Sequence, residues 1–271
     1  MKSYSDDIAP LLAKPYRYTR DAEEWPNYVE ERELTEAHIP ELADMLMNPE
    51  FDELAQDDPA IYAPLHALRA LGQLKSEQAI APLIEFLSRD DLGDLDRETL
   101  PVAVSLIGGA AVEAVGGVLH NEAIALWSRV LAANCLEQMA KQSSGDRSAC
   151  IAVLTTQLEH YATNDQSLDS TLVNALAELQ ATEAASLIEQ VFAHKELDEM
   201  LTGSWPGVQV RLGLKNESDF SPEDLQARVP EDLKEIQEML GLLDARVQKP
   251  QGFGAPAPAP SKKKSKKKKK R

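Results

Sequence analysis

The phrase LKSEQAIAPLIE, from Leu74 to Glu85, returns as LQATEAASLIE from Leu179 to Glu189. Leu71, Leu74, Ala79, Ile80 and Leu83 match Leu176, Leu179, Ala184, Ala185 and Ile188 at a shift of 105, three times 35. At a shift of 35 the same positions fall on Leu106, Gly109, Ala114, Val115 and Val118. A further unit fits with an insertion. Leu136 and Met139 match Leu71 and Leu74 at 65, while Ala149 and Val153 match Ala79 and Leu83 at 70, and Gln142–Asp146 takes the extra five residues. A period of this length marks an array of small units, none of which can bury its apolar face alone, so that neighbours must stack.

Each unit reads as two helices and a tight turn. Leu68, Leu71 and Leu74 line one face of the first helix, and Ala79, Ile80, Leu83, Ile84 and Leu87 recur at helical spacing in the second. Asp58-Pro59 supplies a cap and a first-turn proline ahead of the first unit. The chain is 43% apolar but only 5% aromatic, which favours helix over sheet and leaves enough apolar surface for a core. The expected fold is all-α: a right-handed α-solenoid of about four stacked helix pairs over 59–197. Residues 1–58 form an N-terminal helical cap, and Thr35–Met47 supplies an acidic helix there. Residues 198–249 hold capping helices. Ser221-Pro222-Glu-Asp224 reads as a helix start. Leu233, Ile236, Leu240, Leu243 and Val247 make a two-heptad seam that either caps the array or pairs as a coiled coil. Residues 250–271, a Pro/Ala spacer and a Lys-rich block, are expected to be disordered.

The run from Leu65 to Leu87, LHALRALGQLKSEQAIAPLIEFL, carries Ala70-Leu71-Gly72 followed by an Ala-Ile-x-x-Leu second helix. It resembles HEAT-like repeats, especially the short ones first described in phycobilisome lyases. The body also resembles an uncharacterised bacterial helical-repeat family, through Pro40-Glu41-Leu42, Asn48-Pro49-Glu50 and Ile61-Tyr62-Ala63. The resemblance implies a stacked-helix fold and leaves the function open. A Cys-rich zinc motif that ends some relatives has no counterpart here, so a zinc role does not carry over. Ala63-Pro-Leu-His-Ala67 resembles an ankyrin phrase but occurs once, and later units do not repeat it.

The charge is divided. The chain carries 45 acidic and 28 basic residues, and the last eleven residues hold nine of the cations and no acid. Without them the body is −26, a poor surface for nucleic acid. The tail, Lys262, Lys263, Lys264, Lys266, Lys267, Lys268, Lys269, Lys270 and Arg271, is a candidate polyanion-binding segment. Acidic pairs such as Glu23-Glu24, Glu30-Glu31, Asp57-Asp58 and Asp90-Asp91 read as solvated faces and caps, or as docking points for a basic partner if they converge. Trp205 either plugs the end of the array, the favoured reading, or serves as a partner anchor.

The five histidines and two cysteines show no metal spacing, and no cofactor motif occurs. Cys135 and Cys150 sit in apolar helical patterns and read as buried reduced thiols. Gly116-Gly117 reads as close helix packing, or as room for a partner's backbone. Leu100–Leu119 has a single charge, Glu113, yet Pro101 and Gly108-Gly109 mark it as a buried helix pair and not a membrane span. An acidic N-terminus without an apolar stretch argues against a secretory signal. These features point to a cytoplasmic monomer that works as a non-catalytic protein-interaction scaffold. Nucleic-acid or ribosome association through the tail, and a HEAT-like lyase-type enzyme, are the competing classes. For the enzyme no acid–base pair of defined spacing is present.

Overall fold

The structure, a computed structural model, describes residues 2–143 and 145–228. The heptad seam and the Lys-rich tail lie outside them. The described chain is all-helical, with no strand among these residues. Two helices, α1 (Tyr28–Glu31) and α2 (Ile39–Met47), come first. They precede α3 (Ala63–Gln73) with α4 (Ile80–Leu87), α5 (Asp94–Ser105) with α6 (Val112–His120), α7 (Leu126–Gln142) with α8 (Arg147–Leu158), and α9 (Gln166–Glu178) with α10 (Ala185–His194). The short helices α11 (Glu199–Thr202) and α12 (Trp205–Arg211) follow.

The echoed phrases fold alike. Leu74 and Leu179 close α3 and α9, and the next residues, Lys75 and Gln180, take left-handed backbone with φ of 50° and 51°. A 3-10 turn, Glu77–Ala79 or Thr182–Ala184, then feeds the second helix. The left-handed residue reverses the chain after the last helical carbonyls. In the second pair Leu106 closes α5, Gly108 carries the positive φ of 80°, and Gly109–Ala111 is the 3-10 turn. Ala79, Ala111 and Ala184 are therefore equivalent, and all are buried. This corrects the second unit's offset from 35 to 32, while the shift of 105 stands. Three residues is close to one helical turn, so both offsets keep the apolar face inward. In the third pair the register moves by one. Leu154 and Leu158 are buried where Leu83 and Leu87 stand, so Cys150, not the exposed Ala149, takes the place of Ala79.

Packing joins each unit to the next. The first helices form one row, α3 against α5, α5 against α7 and α7 against α9. The second helices form another, α2 against α4, α4 against α6 and α6 against α8. Each second helix also packs on the first helix of the following pair: α2 on α3, α4 on α5, α6 on α7, α8 on α9. Gly72 allows the closest approach in the first row, because a Cβ there would lie 2.6 Å from the Ala103 carbonyl oxygen of α5. A Cβ on Gly116 would meet Val153 at 3.0 Å, so α6 and α8 also meet closely, whereas Gly117 faces open space.

Leu100–Leu119 becomes parts of α5 and α6, bent by 115° at the Gly108 turn. No single helix among the described residues is long and apolar enough to cross a membrane. Ser221-Pro222 begins a turn instead of a helix. The Ser221 Oγ and Asp224 carboxylate form the expected reciprocal cap, with Asp224 N to Ser221 Oγ at 3.2 Å and Ser221 N to Asp224 Oδ2 at 3.0 Å. No helix follows among residues 221–228. Pro230 disfavours helical backbone at the residue before it, and Leu225 is the single large apolar side chain available to hold a helix down.

Candidate functional site

Residues 14–28 cross α3, where His66 and Arg69 are both about 1% exposed. His66 Nε2 lies 3.0 Å from the Lys14 carbonyl oxygen, which can only accept, so Nε2 carries the proton. Nδ1 then accepts from the Tyr28 hydroxyl at 2.7 Å. Burial pushes the His66 pKa down to about 4 and the Tyr28 pKa up to about 12, so both are neutral near pH 7. The Arg69 guanidinium carbon lies 4.8 Å from the Tyr16 ring centre and 4.9 Å from that of Trp25. It donates to the carbonyls of Arg17 at 3.3 Å and Thr19 at 3.4 Å and to the Tyr16 hydroxyl at 3.3 Å. No carboxylate pairs with it among the described residues, and its Nε has no hydrogen-bond partner. Aromatic faces and carbonyl dipoles thus hold this cation. Sequence reading missed the cluster. The available signal was a polar row, Tyr62, His66, Arg69 and Gln73, spaced 4, 3 and 4 on an otherwise apolar helix.

A second feature is a groove of about 410 Å³ where the α4–α5 loop meets α3 and the end of α2. Its apolar walls include Leu46, Ile61, Leu65, Phe86 and Leu95, and its acids are Asp52, Asp91, Asp94 and Asp96. Arg89 forks onto Asp91, Nε to Oδ1 at 2.8 Å and Nη2 to Oδ2 at 2.7 Å, which holds the Asp91 carboxyl below its usual range. Burial pushes Asp96 up, and its Oδ2 accepts from the Gly93 amide at 3.0 Å. Asp52 and Asp94 are exposed, and neither carboxylate makes a hydrogen bond or ion pair with described residues, although the Asp52 charge acts on Arg89. An ammonium or guanidinium with an aliphatic stem matches such a lining. Of the acidic pairs singled out in the sequence, Asp90-Asp91 is the one that contributes to it.

At the other end, Trp205 opens α12 and is half-buried, its ring 5.4 Å from that of Phe192. Val208 and Leu212 are buried beneath it, and α12 packs against α9 and α10. Trp205 and Phe192 also line an open cavity of about 540 Å³ with Glu189, Glu199, Asp224 and Arg228. Another tryptophan, Trp127 at the start of α7, is 54% exposed. On α9, Asp169 is fully buried and meets Lys195 Nζ at 2.5 Å and Asn164 Nδ2 at 2.7 Å, which ties the α8–α9 loop to the segment after α10. Cys135 and Cys150 are buried free thiols. Burial raises both pKa values, that of Cys150 to about 11, so neither is a ready thiolate at neutral pH. No group of three or more His, Cys, Asp or Glu among the described residues is arranged to hold a metal. The tail residues Lys262–Arg271 lie outside the described residues.

No curated protein and no solved structure matches the chain. A protein family does match, over residues 26–230, and it carries no assigned activity. That span includes every helix pair and stops before the basic tail. The chain belongs to this family, described as Protein of unknown function (DUF1186).

Proposed function

We propose that the helix pairs form a right-handed, HEAT-like α-solenoid that serves as a non-catalytic scaffold for basic protein partners. The groove at Asp52, Asp91 and Asp94 carries this reading. It offers an apolar floor for aliphatic stems and two unpaired carboxylates for their charges. The setting reinforces it, since residues 1–228 hold 40 acidic and 16 basic side chains, a field that draws cations from a distance. Titration of a labelled peptide of alternating Arg and Leu tests the reading. The chain is ended after Gln248 for this purpose, so that its own lysines do not compete. An Asp52→Asn/Asp94→Asn variant should bind the peptide about tenfold more weakly, or about 1.4 kcal/mol. Equal affinity for both proteins would reject the groove as the docking point.

The tail supports a second reading, polyanion association. Nine cations in eleven residues should bind RNA without sequence preference, and the affinity should fall steeply with salt as condensed counterions are released. The acidic body opposes this by repelling the same polyanion. A peptide of residues 261–271 is therefore expected to bind labelled RNA more tightly than the full chain at low salt. Tighter binding by the full chain would make nucleic-acid association the leading function.

A further inference from the structure

Residues 14–20 read Lys-Pro-Tyr-Arg-Tyr-Thr-Arg, with three cations, two tyrosines and no acid, inside a strongly acidic body. Residues 14–19 belong to no helix or turn. Lys14 Nζ pairs with Glu31 at 2.5 Å, and the side chains of α3 take the backbone carbonyls. His66 takes the Lys14 carbonyl, and Arg69 takes those of Arg17 and Thr19. Tyr62 stacks on Tyr16 with ring centres 4.8 Å apart. One turn further along α3, Gln73 Nε2 donates to the Pro26 carbonyl at 3.0 Å and its Oε1 accepts from the Tyr28 amide at 2.9 Å. The four readers stand at spacings of 4, 3 and 4, so they form one row along the helix. Carbonyl reading is blind to side chains, and selection comes from the pockets beside it. Glu98 of α5 supplies one, accepting from the Tyr18 hydroxyl at 2.7 Å and from Arg20 Nη2 at 3.0 Å.

The two halves of this segment are held unequally. Tyr16 is enclosed between Tyr62 and Arg69. Tyr18 is 54% exposed, and the Arg20 side chain is 75% exposed on its ion pair with Glu98. Exposed pairs of this kind contribute little to holding a chain down. Arg69 keeps an unpartnered Nε although it is almost fully buried, so the present occupant leaves donor capacity unused.

We propose that the edge of α3 and α5 is a peptide-binding track, that residues 14–20 are its built-in occupant, and that an extended basic–aromatic segment of a partner protein binds there by displacing the Tyr18–Arg20 end. The inference rests on the reading of the body as a scaffold for basic partners, but none of Tyr62, His66, Arg69, Gln73 or Glu98 lines the acidic groove. Because the occupant is tethered, it competes at high effective concentration, and weakening it should let an outside peptide in.

The test uses the full chain and two labelled heptapeptides, Lys-Pro-Tyr-Arg-Tyr-Thr-Arg and a scrambled version of the same composition, followed by fluorescence anisotropy. A Tyr18→Ala/Arg20→Ala variant alters two exposed side chains and leaves the track residues intact; a melting curve matching that of the unaltered protein verifies its fold. The first peptide should bind this variant about threefold more tightly than the unaltered protein, the size that loss of such exposed contacts allows. The scrambled peptide should show no such gain, and adding Glu98→Gln should remove it. Equal affinity for both proteins, or an equal gain with the scrambled peptide, overturns the proposal. The gain should survive Asp52→Asn/Asp94→Asn. Loss of the groove's Arg–Leu peptide binding and loss of this gain are thus separate results, and each reading fails on its own.

Discussion

Replacing Leu83 with Asp is expected to destabilise the protein by about 3–5 kcal/mol. Leu83 is about 1% exposed on α4, a helix packed against α2, α5, α6 and α7. Its neighbours along the same face, Phe86 and Leu87, are buried with it. The substitution removes a buried isobutyl group and places a carboxylate in its buried position. Both effects act in the same direction, since the lost transfer energy adds to the desolvation of the new charge. Because the second helix of one pair packs on the first helix of the next, the damage should spread along the array. Thermal unfolding followed by far-UV circular dichroism checks this. An unchanged melting temperature would mean that Leu83 does not face the stacking surface. Substantial strand signal in the unaltered protein would reject the all-helical fold itself.

Stability should also fall as the pH drops from about 6.5 to about 4, with His66 as a main cause. In the unfolded chain His66 takes a proton near pH 6.5, whereas in the folded chain burial holds its pKa down to about 4. The nearby Arg69 and Lys14 charges add to this lowering, and the hydrogen bond to the Lys14 carbonyl opposes it. Between these two values the unfolded state binds more protons than the folded one, so stability rises with pH across the window. The contribution is complete above about 6.5 and is lost progressively towards 4. At pH 5 the loss amounts to about 2 kcal/mol relative to neutral pH. A His66→Gln variant keeps an acceptor for the Tyr28 hydroxyl and a donor for the Lys14 carbonyl but cannot titrate. Urea unfolding at pH 7.5 and pH 5 should show a drop smaller by about 2 kcal/mol in the variant. Carboxylates that titrate in this range affect both proteins equally and cancel in the comparison. Identical drops would mean that His66 takes its proton at the same pH in the folded and unfolded chains, as a solvated imidazole does.

The helix pairs were legible because stacking demands an apolar face at helical spacing, and that demand is written along the chain. The echo of Leu74–Glu85 at Leu179–Glu189 identifies two such pairs. The same periodicity concealed the offset of the second pair. A slip of three residues turns a helix by nearly a full turn and leaves Val115 and Val118 facing inward either way. Only the turn at Gly108–Ala111 separates 32 from 35, and a turn's φ and ψ are not visible in a pattern of apolar residues.

The candidate sites were less legible, and the reason is distance along the chain. His66 meets Lys14 across 52 positions and Tyr28 across 38. The acidic groove draws Leu46, Asp52, Leu65, Arg89 and Asp94 from segments that only the fold brings together. A helical period records which side of a helix is buried; it does not record what lies across from it. Thus the polar row of Tyr62, His66, Arg69 and Gln73 marked a stripe on α3, but not the N-terminal segment that encloses Arg69 between Tyr16 and Trp25. The sequence by itself determined the helical class, the pairing of helices and the division of charge between body and tail. Tertiary structure alone decided which polar side chains share a site, because that depends on the packing of neighbouring units and on the path of the chain across them.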